Sequence, residues 1–311
     1  MGDVIHTLPA VASLKHGFPG CHLTWAIEEK WAPLLEGNPF VDRVAVIRRN
    51  GPRALLESWR GLRECRYDFA VDFQGLIKSA LVASAGRADH IFGYARVRER
   101  PAALFYSNRV ESRSVHVVDR NLDLAAAAGA GSTVRVFPLP QGTPESPLPE
   151  GPFVLACPLA GWRSKQWPIE HYRELAALLP RETGMRLVVD GPPSALDMLP
   201  GSPDVFRHFS SVRGLIHATR RAAAFVGGDS GPLHLAAALG KPGVAIFGPT
   251  DPARNGPYGD SMTVLRGPCA VTTYKRGAEI DKSMRAVTPA EVLQALKARL
   301  EPRPHLAGNA S

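Results

Sequence analysis

Cysteine is scarce in this sequence and widely spaced. Only four of the 311 residues are cysteine, Cys21, Cys65, Cys157 and Cys269, and none forms a C-x-x-C pair or a cluster with histidine. This spacing excludes a disulfide framework and a cysteine-based zinc site. We therefore expect reduced, buried thiols.

Long apolar runs are absent as well. No stretch approaches the roughly 20 residues that a membrane-spanning helix needs. Residues 1–20 lack the basic start and the apolar centre of a secretion signal. The sequence thus predicts a cytoplasmic protein. It also lacks a D-x-D pair, so no metal site is predicted.

Negative charge is in deficit, with 29 acidic residues against 37 lysines and arginines and a net charge of +8. The chain shows none of the motifs or aromatic–basic interleaving of nucleic-acid-binding proteins, so no nucleic acid partner is predicted. Anionic lipid headgroups or a phosphorylated acceptor would explain the charge. A basic surface without a specific partner is the plainer alternative.

Short apolar segments alternate with helical ones along the chain, which predicts an α/β fold with parallel, helix-covered sheets. Residues 137–152 are dense in proline, glycine and serine and read as a linker. We expect two Rossmann-like domains facing across a cleft. The predicted divisions are an N-terminal domain at 1–140, a linker at 141–152, a second domain at 153–288, and a C-terminal helix and tail at 289–311 whose end, 302–311, frays.

The pattern also predicts individual elements. Strands are expected at 22–27, 44–47, 69–73, 153–156, 186–189, 223–226 and 243–247. Helices are expected at 52–65, 76–85, 116–128, 168–179, 212–221, 232–239 and 289–300.

The segment 227–252, GGDSGPLHLAAALGKPGVAIFGPTDP, is the most informative. It joins a strand to a helix through a glycine-rich turn, which leaves free N–H groups at the positive end of a helix dipole and suits a phosphate. It matches neither G-x-G-x-x-G nor a Walker A loop. Asp229 in the turn can bind sugar hydroxyls. An ordinary strand–helix turn with an aspartate cap is the alternative.

Four motifs resemble the lipopolysaccharide heptosyltransferases. The segments are D-S-G-P-L-H-L-A-A-A at 229–238 with F-G-P-T-D-P at 247–252, G-D-V-I-H-T-L-P-A at 2–10, D-F-Q-G-L-I-K-S at 72–79 and K-Q-W-P at 165–168. The resemblance covers most of residues 2–300. Segments 98–106 and 116–121 are more similar to the first heptosyltransferase of the core than to the second.

The resemblance implies an inverting glycosyltransferase of GT-B architecture that needs no cofactor and no metal. Its donor would be ADP-L-glycero-D-manno-heptose. Lys165, Ser230 and Gly231 would hold the diphosphate, Asp229 the heptose hydroxyls, and His234 lies one helical turn further on. Trp167 is expected to pack at the helix entry.

On the acceptor side, the resemblance assigns Asp3 as the general base that takes a proton from the attacking hydroxyl of Kdo on lipid A. Lys78, Arg98 and Arg100 would bind this anionic acceptor, and the protein would be peripheral on the cytoplasmic face of the inner membrane. Taken singly, Asp3 also fits a helix N-cap, and each arginine a solvated loop.

Other functions stay open. One is an enzyme of the same architecture with a different nucleotide sugar, such as another transferase or a UDP-sugar epimerase. The other is a non-catalytic nucleotide-binding module. The sequence also departs from the family pattern after residue 189, where some members have a glutamate facing the nucleoside, and Asp190 is only a weak substitute.

The predicted first glycine turn, Gly2-Asp3, follows a single residue. Members of the resembled family have about ten mostly apolar residues there, which form the first strand of the sheet. The first strand of the N-terminal domain is therefore missing from this sequence, and we expect the native protein to extend upstream by about ten residues.

Overall fold

The structure, a computed structural model, describes residues 1–193 and 204–301. The chain divides into two compact units, Met1–Gly142 and Thr143–Ser311, and this division lies at the start of the predicted 141–152 linker. The predicted fraying end, 302–311, lies outside the described residues. No helix in the described ranges is long and apolar enough to cross a membrane.

The first unit contains four α-helices, five strands and two 3₁₀ turns. The helices are α1 Gly2–Gly17, α2 Pro52–Leu62, α3 Ile77–Ala85 and α4 Val117–Ala127; the strands are β1 Thr24–Glu28, β2 Arg43–Ile47, β3 Phe69–Asp72, β4 His90–Tyr94 and β5 Asn108–Val110; the 3₁₀ turns are Glu29–Leu35 and Arg100–Phe105. All its strand pairs are parallel, in two separate sheets of order β1-β2 and β3-β4-β5.

Helix α1 is buried along most of its length, although it contains Pro9. Its apolar side chains pack against α4 and the aromatic residues of β3 and β4. The side chain of Asn121 on α4 joins the two helices by donating to the His6 carbonyl and the Thr7 hydroxyl. Tyr94 on β4 donates to the same asparagine. This buried network fixes the helix that carries Asp3.

The second unit is built on one six-stranded parallel sheet of order β11-β10-β9-β6-β7-β8. Its strands are β6 Phe153–Cys157, β7 Arg186–Asp190, β8 Val205–His208, β9 Ala224–Gly228, β10 Gly243–Phe247 and β11 Met262–Arg266. Its helices are α5 Ile169–Thr183, α6 Val212–Arg221, α7 Gly231–Ala238, α8 Pro252–Asn255, α9 Lys282–Ala286 and α10 Pro289–Leu300, with a 3₁₀ turn at Arg163–Lys165.

This strand order is that of a Rossmann sheet, with β6 as its first strand and β9 as its fourth. Strands β6, β9 and β10 are buried throughout, as expected for apolar strands covered by helices on both faces. The chain order reverses between β6 and β9. In such sheets ligands bind beyond the carboxyl ends of the strands at this point.

The structure confirms the α/β class and the parallel sheets. Trp167 also packs as predicted, fully buried with its indole N–H donating to the Val287 carbonyl at 2.8 Å. The prediction that α5 ends at residue 179 was wrong, because Pro180 is tolerated inside the last turn. Gly184, with φ of 70°, ends the helix instead.

Two further expectations need correction. Strands β4, β5, β8 and β11 were missed, because they are short and carry polar residues or glycine. In β4, Gly93 lies beneath the ring of Tyr106, where any Cβ would collide with it. The four cysteines are not joined in disulfides, and only Cys157 is buried, whereas Cys65 and Cys269 are exposed.

Candidate functional site

In the second unit the predicted donor residues gather where β9 ends and α7 begins. Asp229 follows β9 directly, and Ser230 is the N-cap residue of α7. Asp229 is therefore not the helix cap that the alternative required. The backbone N–H groups of the first turn of α7 lack partners within the helix. They and the helix dipole make this end of α7 suitable for an anion.

The carboxylate of Asp229 is buried and contacts the side chains of Lys165 and His234. Its Oδ2 accepts a hydrogen bond from Lys165 Nζ at 2.7 Å. His234 Nε2 lies 3.4 Å from Oδ1. Burial alone would raise the pKa of Asp229, but His234 and Lys165 hold that pKa well below its usual range. The group is therefore a fixed carboxylate.

Lys165 is positioned by its backbone as well as by Asp229. A Cβ placed on Gly228 would lie 2.7 Å from the Lys165 carbonyl oxygen, so the two backbones approach as closely as glycine allows. The ammonium lies 4.4 Å from the centre of the Trp162 ring. Such a cation–ring contact adds attraction without neutralising the charge.

Three buried hydroxyl groups follow neighbouring strands at the same edge of the sheet. Ser164, Ser230 and Thr250 follow β6, β9 and β10, which are neighbours in the sheet. Their oxygens have no hydrogen-bond partner among the described residues. Buried polar groups are nearly always paired, so this edge has the capacity to bind a polar ligand. Sequence reasoning missed Ser164 and Thr250, although both lie within or beside recognised motifs.

In the first unit Asp3 lies in the first turn of α1 and is bound by Arg98. The guanidinium donates from Nη2 to Oδ1 at 3.0 Å and from Nη1 to Oδ2 at 3.1 Å. The N-cap of α1 is Met1, so the alternative that Asp3 is the cap is wrong. A forked pair of this kind fixes the plane of the carboxylate.

The motif at 72–79 holds Arg98 in place. The N–H groups of Arg98 and Glu99 both donate to the Gly75 carbonyl at 3.1 Å. Gly75 has a φ of 66°, which favours glycine. Buried Asp72 closes this turn by accepting from the Gln74 and Gly75 N–H groups, the Ser79 hydroxyl and the Tyr106 hydroxyl. The motif is thus a scaffold for the Asp3–Arg98 pair.

The other two predicted acceptor residues are placed differently. Lys78 Nζ lies 3.1 Å from Glu28 Oε1. Partial burial would raise the pKa of Glu28, but the bond from Lys78 and the charges of Lys30 and Arg49 lower it. Arg100 is exposed at the start of the 3₁₀ turn Arg100–Phe105. Only Arg98 of the three contacts Asp3 in the interactions observed.

Asp190, at the end of β7, is engaged by neighbouring side chains. Its Oδ1 contacts His208 Nδ1 at 2.7 Å and accepts from the Ser210 hydroxyl at 2.8 Å. Within residues 1–193 and 204–301, no group of three or more His, Cys, Asp or Glu side chains is arranged to hold a metal ion.

Comparison with known sequences gives a consistent result. Residues 55–281 match the model of glycosyltransferase family 9 (heptosyltransferase). Lipopolysaccharide heptosyltransferase 1 of Escherichia coli K12 is 31% identical over 86% of this chain and 91% of its own length. The protein of the same description from Pseudomonas aeruginosa is 32% identical over 87% of this chain and 82% of its own length.

Solved structures agree with the sequences. The E. coli heptosyltransferase WaaC with ADP is 29% identical and superposes with a TM-score of 0.75, covering 96% of this chain and 97% of that one. A family 9 glycosyltransferase of Veillonella parvula reaches a TM-score of 0.80 at 20% identity, covering 96% of this chain and 94% of that one, and so shares the fold.

Proposed function

Because this chain belongs to glycosyltransferase family 9 (heptosyltransferase), we propose that it transfers L-glycero-D-manno-heptose from ADP-heptose to a Kdo residue of lipid A, with inversion at the anomeric carbon. It is a glycosyltransferase related to enzymes of lipopolysaccharide core synthesis. Beyond membership of this family, the proposal specifies the acceptor, the stereochemistry of transfer and a peripheral position on the cytoplasmic face of the inner membrane.

The observation that carries the proposal is the cluster at the start of α7. Lys165 is fixed beside Asp229, and the unpartnered Ser230 hydroxyl adjoins the first N–H groups of the helix. A leaving diphosphate gains negative charge in the transition state, and a preoriented cation and hydrogen-bond donors stabilise that charge. Lys165, Ser230 and Gly231 supply these groups. The related WaaC structures with ADP and with ADP-2-deoxy-2-fluoro heptose support a diphosphate ligand of this kind.

Asp229 and His234 complete the donor side. Each carboxylate oxygen has two lone pairs, so Asp229 can accept from a heptose hydroxyl while it holds Lys165. His234, bound behind Asp229, keeps the carboxylate oriented. The hydroxyls of Ser164 and Thr250 are available to further oxygens of the donor.

On the acceptor side, Asp3 accepts the proton of the Kdo hydroxyl as the oxygen attacks the anomeric carbon. The attack comes from the face opposite the departing ADP, so the configuration inverts. Arg98 orients Asp3, and Arg98, Arg100 and Lys78 attract the anionic acceptor. When an acceptor carboxylate engages Arg98, Asp3 loses part of its ion pair and becomes a better base.

Two experiments test the proposal. Thermal shift with ADP, UDP, GDP and CDP should give the largest stabilisation with ADP. Incubation with ADP-heptose and a Kdo-bearing lipid A should then yield a product heavier by one heptose, with NMR showing the inverted anomer. Preference for another nucleotide would favour a different sugar donor. ADP binding without any transfer would favour the non-catalytic module.

A further inference from the structure

Helix α2 presents apolar side chains to solvent. Leu55 and Leu56 are adjacent, and their residues are 41% and 49% exposed. The helix buries only Leu62 fully and half-buries Trp59. Helix α3, which packs against α2, exposes Ile77 and Leu81 one turn apart, at 38% and 39%. Four large aliphatic side chains are therefore exposed on two neighbouring helices.

The same segment is strongly basic. Residues 48–66 contain six arginines and only two glutamates. Arg53, Leu56 and Arg60 recur at helical spacing and so lie along one face of α2. Arg53 is almost fully exposed and pairs only with Glu57, one turn away on the same helix. Arg48, Arg49 and Arg66 form ion pairs with Glu29, Glu28 and Asp89. Arg53 and Arg60 are therefore the guanidinium groups that flank the exposed leucines.

We propose that the surface formed by α2 and the start of α3, called here the Leu55–Leu56 surface, docks on an anionic lipid bilayer. Leucine and isoleucine enter the boundary between headgroups and acyl chains, to a depth of roughly 5–10 Å, while arginines bind lipid phosphates. The proposed function places the protein on a membrane, and this inference identifies the surface that makes the contact. It rests on the proposed function for its biological purpose.

Two other occupants fit less well. A symmetric dimer through this surface would bring the same patch of each copy together, and arginines would then face arginines. Nucleic acid would be held by the arginines, but its bases stack on aromatic rings, whereas the exposed apolar groups here are aliphatic. A bilayer with acidic headgroups uses both the charge and the aliphatic side chains.

Vesicle sedimentation tests the inference directly. The full chain should bind vesicles of phosphatidylglycerol and phosphatidylcholine more strongly than vesicles of phosphatidylcholine alone. Leu55→Ser with Leu56→Ser should weaken the binding by roughly tenfold, since aliphatic insertion is lost. Arg53→Gln with Arg60→Gln should weaken it at low salt and flatten its dependence on ionic strength.

Val271→Ser provides the matched control, because Val271 is also an exposed aliphatic residue but belongs to the second unit. It should bind vesicles as the unchanged chain does. Far-ultraviolet circular dichroism should show that the leucine variant keeps its fold. The inference is overturned if the leucine variant binds like the unchanged chain, or if acidic lipid makes no difference. Tight RNA binding that the arginine variant loses, without vesicle binding, would also overturn it in favour of nucleic acid.

A water-soluble acceptor separates this inference from the proposed function. With a deacylated Kdo-bearing saccharide, the leucine variant should transfer heptose at the rate of the unchanged chain. With the same acceptor lipid in vesicles it should be slower. If the unchanged chain transfers heptose to the soluble acceptor but does not bind vesicles, only the docking inference is wrong. If it binds vesicles but transfers heptose to neither acceptor, only the proposed function is wrong.

Discussion

The two units hold their principal carboxylate–cation pairs in different surroundings. In the second unit, the side chains of Asp229 and Lys165 are 4% and 15% exposed. In the first unit, those of Asp3 and Arg98 are 41% and 39% exposed. Charges removed from water interact strongly and keep a fixed geometry, while water and salt screen exposed pairs. The buried pair, Asp229–Lys165, therefore suits the binding of one ligand group in a fixed position. The exposed pair, Asp3–Arg98, can exchange partners during a reaction.

The comparison is tested most severely by Asp3→Asn. If the exposed carboxylate is the base, transfer should fall by at least ~10²-fold, the usual scale of general-base catalysis, while ADP affinity stays unchanged. Initial rates by mass spectrometry and ADP titration by calorimetry measure the two effects. Asp89→Asn is the control, because Asp89 is another exposed partner of an arginine in the first unit. Turnover of Asp3→Asn equal to that control would remove the assignment.

In the second unit, Lys165→Ala should weaken ADP binding. The diphosphate loses a charge-assisted partner worth roughly 1.5–3 kcal/mol. Lys297→Ala is the control, since Lys297 forms an exposed ion pair with Glu182 in the same unit. Calorimetric ADP affinity should fall for the first variant and stay constant for the second. Equal affinities would mean that the buried pair is structural only.

Arg98→Lys should lower kcat by about tenfold, because a point charge cannot replace the two-armed contact with Asp3. ADP affinity should be unaffected. The acid limb of the pH–rate profile should move to higher pH in Arg98→Met, since the carboxylate then lacks its cation. A profile that does not move would show that Arg98 serves the acceptor without positioning Asp3.

The lowered pKa of Asp229 predicts a pH-dependent stability. Its folded-state pKa lies below the ordinary value of 3.8, so its contribution is fully present above about pH 4 and is lost as the pH falls toward the folded value. Asp229→Asn should therefore melt at lower temperature than the unchanged chain at pH 7. The difference should shrink below about pH 4. A constant difference across this range would contradict the ionised, paired state.

Removal of metal ions with EDTA should have the smallest effect on the rate of transfer. In the proposed mechanism, Lys165 and the α7 N-terminus would supply the positive charge that a metal ion would otherwise provide to the leaving diphosphate. Initial rates with and without EDTA should therefore agree. A large loss of rate, restored by adding a divalent cation, would show that the donor side is incomplete without a metal.

The centre of the second unit could be predicted from the sequence because strands β6, β9 and β10 are short runs without charged residues and the turn after β9 carries a dense motif. The strand Gly243–Phe247 and the helices Val212–Arg221 and Pro289–Leu300 were predicted with the bounds that the structure has. Local pattern predicts such elements well, since burial on both faces leaves little else that these residues could form.

The first unit was harder, because its decisive contacts join residues far apart in the chain. Nothing in the neighbourhood of Arg98 indicates that it binds Asp3, which is 95 positions away. The role of Asp72 as the centre of a turn likewise depends on Tyr106 from another segment. The unpartnered hydroxyls of Ser164 and Thr250 depend on burial, which a single serine or threonine in a sequence does not reveal.

The close approach at Gly228 has a consequence for how this protein can vary. A methyl group at that position would displace the Lys165 backbone, although Gly228 itself contributes no side chain to the site. The clash would involve the backbone carbonyl of residue 165, so no change of the side chain at that position would relieve it. A lineage that kept Lys165 but lost Gly228 would look intact in a motif search and yet have its ammonium in the wrong place.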